Sequence, residues 1–485
     1  MVAELSREEL LAALVDRDGV IAELTSALAG VQTTNGLLVA RVTQLERLLG
    51  KDSSTSSRPP SSDLPYRKPK RTSSRIRSGR KPGKQPGDPG TTLRQVEVPD
   101  KEVPCEPEVC DGCGNPLGDG AELVGVARRQ VFDVPPPPPL HVTEYQLRSR
   151  RCTCGRVSTG TPPAWVNGPV QYGPELLAHT ALVTCGHYVP VERAAQLLAA
   201  GHGARVSTGF VAGVRARAAA RLDETFMPRV RELLRTAGVL HVDETPGRVS
   251  GGMSYVHVAC TDYLTSMHTG DRSAATIDAG GVLPGYTGVI MRDGYAGYVH
   301  LKAAEHAWCC AHLLRDLRSF HTADPHAQQW AHAMARTLAD AHHAAQAARA
   351  AGQDSLDQPV LATIRKHYQG AVAKGLTDNA TDLAGLQHDA LTLARRFRDH
   401  ETMILRFCTD LTVPWTNNEA ERTCRPVKVQ QRTSGGCWRT LEGIAQFAIV
   451  QSYLSTARKW GLDQLDVLRQ LFTTGPWLPP ALAPT

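Results

Sequence analysis

Apolar side chains near the start of the chain recur at alternating steps of three and four: Ile21, Leu24, Leu28 and Val31, then Leu38, Val42, Leu45 and Leu49, with Asn35 in the same series. This is the a/d repeat of a helix built to pair along one stripe. Asn35 occupies an a position, where a buried amide fixes register and favours a parallel dimer. Residues 1–50 are therefore expected to form a leucine-zipper-like coiled coil that joins two copies of the chain. Gly19, Gly30 and Gly36 weaken the helix, and a helix packed on its own chain would show the same stripe.

The apolar repeat then stops. Residues 51–98 are dominated by Ser, Pro, Gly, Arg and Lys, too little apolar surface to order a segment, which predicts a disordered basic linker. Residues 99–160 alternate weakly around cysteines and a proline run, Pro135 to Pro139, which predicts a small module. Residues 161–235 read as helical. Glu192 to Ala200 has helical spacing, Gly201 and Gly203 make a turn, and Ser207 caps a helix from Thr208 that carries Arg215 and Arg217. Helix, glycine turn and helix is the outline of a helix-turn-helix, a candidate DNA-binding region.

From about residue 236 the period changes from helical to strand-like. Val239 to Asp243, Tyr255 to Cys260, Leu264 to His268 and Gly288 to Asp293 read as strands, with a helix over Ser273 to Ala279. Two strands end in an acid. This order predicts a ribonuclease-H-like mixed α/β core over residues 236–450, with a helical insertion at about 312–407 and a helical tail over 451–485. The fold class is thus multidomain α+β: that core, an N-terminal coiled coil, a small cysteine module and a helix-turn-helix-like region.

Composition adds to this picture. The chain has 485 residues, room for about three domains, and no apolar run near the roughly 20 residues that span a bilayer. An acidic, amphipathic start does not read as a secretory signal, so a cytoplasmic protein without a membrane partner is expected. The net charge of +6 is modest, but its distribution is not. Arg67, Lys68, Lys70, Arg71, Arg75, Arg77, Arg80, Lys81 and Lys84 fall in one stretch without an acid. Such a run gains affinity for a polyanion by releasing counterions, which points to DNA, although a solvated linker would look the same.

The 12 cysteines include two close pairs. Cys110 and Cys113, with Gly112 and Gly114, have the turn of a zinc knuckle, and Cys152 and Cys154 form a tighter C-x-C pair. Four thiolates would close a tetrahedral structural zinc site, with Cys105 as a spare candidate. Free thiols in a small β module remain the alternative.

The acids carry the more specific chemistry. Neighbouring side chains on a strand face opposite ways, so Asp243 and Glu244 cannot both join Asp293, and alternation with Leu240 and Val242 favours Asp243. Gly294 lets the chain turn beside Asp293. A third acid lies in Thr416-Asn417-Asn418-Glu419-Ala420-Glu421-Arg422. Thr416 and Glu419 have capping-box spacing, which leaves Glu421 as the acid with a free face, shared with Asn417 and Arg425. Pro426 is expected to end or kink that helix. Three carboxylates suit two Mg²⁺ or Mn²⁺ ions in phosphodiester chemistry.

At these residues the chain resembles the Insertion Sequence 66 family of bacterial transposases. The resemblance rests on Asn417 to Arg422 with Arg425-Pro426 and Ser434-Gly435-Gly436, on His241 to Thr245, on Arg292 to Tyr298, and on Cys309-Cys310-Ala311-His312 with Arg315. Ser61-Ser62-Asp63 and Gly79 to Gly87 resemble the family's linker. Cys310 stands where the family usually has tryptophan, and Asp88 where its linker usually has histidine.

The resemblance implies catalysis by Asp243, Asp293 and Glu421, magnesium or manganese, a structural zinc, and a DNA transposase that cleaves the terminal inverted repeats of its own element and joins them to target DNA. Asn417, Asn418, Arg422 and Arg425 would position phosphates. Cys309 and His312 would orient the strand-to-helix corner beside the acids, or hold a metal themselves. Accessory proteins of the same element are further candidate partners. An inactive or repurposed DNA-binding copy, and a nuclease of the same fold without strand transfer, are the alternatives.

Overall fold

The computed structural model describes residues 6–50, 84, 86–88, 93–118, 120–380 and 385–481. Arg67, Lys68, Lys70, Arg71, Arg80 and Lys81, expected to touch DNA, lie outside the described residues; Lys84 is described and exposed. The chain divides into two compact units, one spanning Lys70–Leu140 and the other Met1–Pro69 with His141–Thr485.

In the smaller unit, Gln95 and Gln130 exchange side-chain hydrogen bonds with the opposite backbone, Gln95 Nε2 to the Arg128 carbonyl at 3.0 Å and Val96 N–H to Gln130 Oε1 at 2.8 Å. A single antiparallel bridge joins Val109 and Pro116 around the first cysteine turn.

The larger unit begins with α1 (Arg7–Leu49). Ser6 Oγ accepts the Glu9 N–H while Glu9 bonds back to the Ser6 N–H, a capping box that starts the helix. The stripe read from the sequence is open along most of its length: Leu24 is 64% and Val31 64% exposed. Only the last turns pack within the chain. Gln44 donates to Asp389 Oδ2 at 3.0 Å, and the Arg47 guanidinium pairs with Asp389 and lies 4.3 Å from the Phe320 ring centre.

A hairpin of β1 (Ser149–Arg151) and β2 (Val157–Thr159) precedes the helices α2 (Pro174–Ala181), α3 (Val191–His202) and α4 (Thr208–Arg235). Gly203 ends α3 in the left-handed conformation, φ +67°, and Ser207 Oγ caps α4 by accepting the Phe210 N–H at 3.1 Å. Val214, Ala218, Leu222, Phe226 and Val230 on α4 are fully buried. This long helix is a wall of the core, with Arg217 left exposed.

The central sheet holds β3 (Val239–Val249), β4 (Gly252–Cys260), β5 (Thr265–Gly270), β6 (Val289–Arg292) and β7 (Glu305–Trp308), in the order β5-β4-β3-β6-β7. β3, β4 and β5 are antiparallel neighbours, whereas β6 and β7 run parallel to β3. α5 (Ala274–Ala279) connects β5 to β6. The edge of β5 is covered: Met267 N–H donates to Ser452 Oγ at 2.9 Å and Thr265 N–H to Thr456 Oγ1 at 3.1 Å. Both acceptors lie on α13 (Leu441–Lys459), which together with α14 (Gln464–Thr473) shares the core of sheet and α4. A covered edge cannot recruit a foreign strand.

Between β7 and the last segment lie α6 (Cys310–Ala323), α7 (Gln329–Ala350), α8 (Gln358–Asp378), α9 (Gly385–Asp399), α10 (Glu401–Ile404) and α11 (Arg406–Thr409). They enclose a second core around Trp330, Tyr368 and Phe397. α12 (Asn418–Thr433) then returns to the sheet. No helix among the described residues is long and apolar enough to cross a membrane.

Candidate active site

β3 and β6 pair in parallel with Val239 opposite Val289, Leu240 opposite Ile290 and His241 opposite Met291. Asp243 and Asp293 each follow the last of these pairs by two residues, Asp243 still within β3 and Asp293 just beyond the end of β6. Asp293 Oδ1 accepts the Tyr295 N–H at 2.9 Å, which closes the turn after β6. Gly294 is required here for space rather than for a special φ: a Cβ would lie 2.7 Å from the Trp308 ring.

Asp243 and Glu244 separate as strand alternation requires. The Glu244 side chain is 3% exposed, bound by Arg272, whose Nε donates at 3.0 Å, and by the Tyr298 hydroxyl at 2.8 Å. Arg272 in turn lies 3.8 Å from the Tyr295 ring centre. Glu244 is therefore a paired structural acid. Among the described residues, no ion pair at salt-bridge distance joins Asp243 to a cation. Burial, then Glu244, Asp293 and Glu421, push its carboxyl well above the usual carboxylate range, while the Glu244 N–H bond works the other way.

Glu421 arrives on α12, and Asn417 holds the start of that helix. Asn417 Nδ2 donates to the Val242 carbonyl at 2.7 Å, its Oδ1 lies 3.0 Å from His241 Nδ1, and its backbone N–H donates to Cys309 Sγ at 3.1 Å. One turn on, Glu421 Oε1 lies 3.4 Å from Arg315 Nη2 and 3.7 Å from His312 Nδ1, both on the first turns of α6. Glu421 thus lies beside the corner between β7 and α6, and both it and Asp293 act electrostatically on Asp243. Carboxylate oxygens are the hard donors that Mg²⁺ or Mn²⁺ prefers, and a cation would relieve the repulsion that raises Asp243. Among the described residues, ligand atoms of Cys309, His312 and Glu421 lie within 4.8 Å of one another.

Three expectations need correction. Thr416 does not form a capping box with Glu419, because α12 starts later, at Asn418, behind Asn417. Glu419 nevertheless has a structural partner, Lys459 Nζ at 3.0 Å on α13. Asn417 is not placed to touch DNA: it is 1% exposed and its amide is spent on β3. Pro426 does not end α12, which continues to Thr433, although its nitrogen has no N–H to offer the Arg422 carbonyl. Asn418, Arg422 and Arg425 are exposed, and Asn418 and Arg422 line an open cleft of about 750 Å³ with Val239, Asp262, Tyr263 and Pro414.

The two cysteine pairs sit at similar turns, one in each unit. Cys110 N–H donates to the Asn115 carbonyl at 2.9 Å, and Gly114, at φ +74°, returns a bond to the Cys110 carbonyl at 2.8 Å. Cys152 N–H donates to the Arg156 carbonyl at 2.8 Å, and Gly155, at φ +86°, returns a bond to the Cys152 carbonyl at 2.8 Å. Backbone N–H groups of Cys113 and Cys154 lower the Cys110 and Cys152 thiols from their ordinary range. That favours the thiolate, the form that binds metal.

Residues 169–446, more than half of the chain, match the model described as Transposase IS66 family. Residues 7–94 match a family of unknown function, DUF6444. No curated protein matches the chain. The β3–β6 strand ends, the helical insertion and the start of α12 all fall inside the first match, and the chain belongs to the IS66 family of transposases.

Proposed function

We propose that this transposase cuts the terminal inverted repeats of its own element and joins them to target DNA, with Asp243, Asp293 and Glu421 as its catalytic acids. The carrying observation is that burial and the carboxylates of Glu244, Asp293 and Glu421 together push Asp243 well above the usual carboxylate range. The mixed sheet, with three antiparallel strands and two parallel to β3, supports a ribonuclease-H-like core, and α6 to α11 are its insertion.

Two divalent ions, Mg²⁺ or Mn²⁺, held by these acids would supply charge stabilisation to the attacking and leaving oxygens. Asp243 and Asp293 fix one side of the site through the sheet, and Glu421 closes the other. Water attacks the phosphorus at the element end, the bond to the 3′ oxygen breaks, and a 3′-hydroxyl is freed. That hydroxyl then attacks a target phosphorus in line and displaces the target's own 3′ oxygen. Asn418, Arg422 and Arg425, with the free N–H groups at the start of α12, hold backbone phosphates. Arg67, Lys68, Lys70, Arg71, Arg80, Lys81 and Lys84 follow the duplex as a basic run. The cysteine turns at Cys110/Cys113 and Cys152/Cys154 are zinc half-sites, and the open stripe of α1 pairs two copies of the chain.

The test uses oligonucleotides carrying the inverted repeats that flank the gene. Asp243→Ala and Glu421→Ala should bind these ends as wild type does and yield no joined product. Joining at the wild-type rate in either variant would remove the assignment. Cleavage by the wild type without joined product would instead support a nuclease.

A further inference from the structure

One group beside the acids has no task in this reading. His312 sits in the first turn of α6, and its Nδ1 is buried without a hydrogen-bond partner. Buried ring nitrogens are ordinarily satisfied, so an orphan one beside an acidic site calls for a reason. The nearest acceptor is Glu421 Oε1 at 3.7 Å, beyond hydrogen-bond length. Two atoms bound to one ion at about 2.1 Å each can be up to about 4.2 Å apart, so this separation suits a shared ion better than a direct bond. Cys309, the third member of the cluster, is fully buried and already accepts the Asn417 N–H. That leaves the imidazole and the carboxylate as the pair facing the site.

We propose that His312 Nδ1 is a metal ligand beside Glu421, making this end of the site a nitrogen–oxygen position that takes Mn²⁺ in preference to Mg²⁺. Magnesium selects oxygen donors, whereas imidazole suits transition metals, so the two ends of one acidic site differ in metal preference. The proposal rests on the reading of Glu421 as a metal-binding acid.

The test adds manganese chloride alone to the full chain and reads bound Mn²⁺ by electron paramagnetic resonance, with spin-echo modulation to detect directly bound nitrogen. Wild type, His312→Ala, His312→Asn, Glu421→Gln and Asp243→Ala are compared, and His312→Asn keeps a polar group should the alanine variant fold poorly. Nitrogen modulation should be present in wild type and absent in both His312 variants. Their Mn²⁺ affinity should fall about tenfold or more, with a smaller change for Mg²⁺ in competition. Absence of nitrogen modulation in wild type, or its persistence in the His312 variants, would overturn the ligand assignment. If Glu421→Gln and Asp243→Ala still weakened binding in that case, the carboxylate site would stand. Binding indifferent to all these substitutions would remove the catalytic reading as well.

Discussion

Asp243 and Asp293 reach the site in one way and Glu421 in another. The strand pair is placed by backbone: β3 and β6 share a ladder that ends two residues before each acid, and the Tyr295 N–H holds Asp293 in the turn that follows. The helix is placed by side chains: Asn417 bonds β3, the Cys309 sulfur accepts the Asn417 N–H, and Arg315 and His312 flank the carboxylate. A register cannot shift by one residue without turning a buried face outward. A helix start held by a few polar contacts can move by less than an ångström. The difference locates sensitivity: the strand half responds to loss of its acids, and the helix half also responds to substitutions that touch no substrate.

The largest effect should come from the strand half. Asp243→Asn removes a charge that burial, Glu244, Asp293 and Glu421 all oppose. Strand transfer should fall by about 10³-fold or more, a loss in the range seen when a principal charge-stabilising group is removed. The same variant should melt at or above the wild-type temperature, since a repulsion has gone. A clear drop in melting temperature would mean that the acid is structural.

The helix half is probed next by Asn417→Ala. It leaves the Val242 carbonyl and His241 Nδ1 without their buried partner, at a cost of roughly 1–3 kcal/mol for each stranded group. Displacing Glu421 should also slow strand transfer by about 10²-fold, the usual penalty for a small misplacement at a reacting centre. Loss of stability with unchanged single-turnover joining would show that Glu421 does not depend on this clamp.

Acid should also weaken the sheet that carries Asp243. His268 on β5 is stacked 4.9 Å from His257, and burial, then His257 and Arg231, lower it to about 4. The unfolded chain, with an ordinary histidine near 6.5, binds the proton first. This contribution is therefore complete above about pH 6.5 and is lost as pH falls towards about 4, on the order of 1 kcal/mol per pH unit. Melting temperatures from pH 7.5 to 5 should fall, and less steeply in His268→Gln. An equal slope in the variant would discharge His268 from this role.

Glu419→Gln should have the smallest effect. It weakens the pair with Lys459 but leaves Glu421 in place, so joining rates should stay within about threefold of wild type. A loss as large as that of Glu421→Gln would exchange the two glutamates.

Much of this site was legible in the sequence, and the reasons differ by residue. Strand alternation separated Asp243 from Glu244 because the period of a strand is a local property. Glu421 was singled out over Glu419 on a capping argument that the structure does not bear out, although Glu419 does have a structural partner. Its partner Lys459 lies 40 residues on, and only the fold brings it near. The clamp by Asn417 was hidden for the same reason: beside Asn418 and Arg422 its amide reads as a phosphate contact, whereas it is turned to β3. β7 escaped notice because Glu-His-Ala-Trp is too short and mixed to show a period. Its position could have been inferred from the Cys-Cys-Ala-His corner that follows. The helix of α1 was plain from its heptads.

The central claim is tested most directly by diffraction from crystals of the full chain grown with manganese, using the anomalous signal of the metal. Density is expected within about 2.5 Å of the carboxylates of Asp243, Asp293 and Glu421, with one ion also against His312 Nδ1. Manganese bound elsewhere while these three acids stand empty would contradict the account.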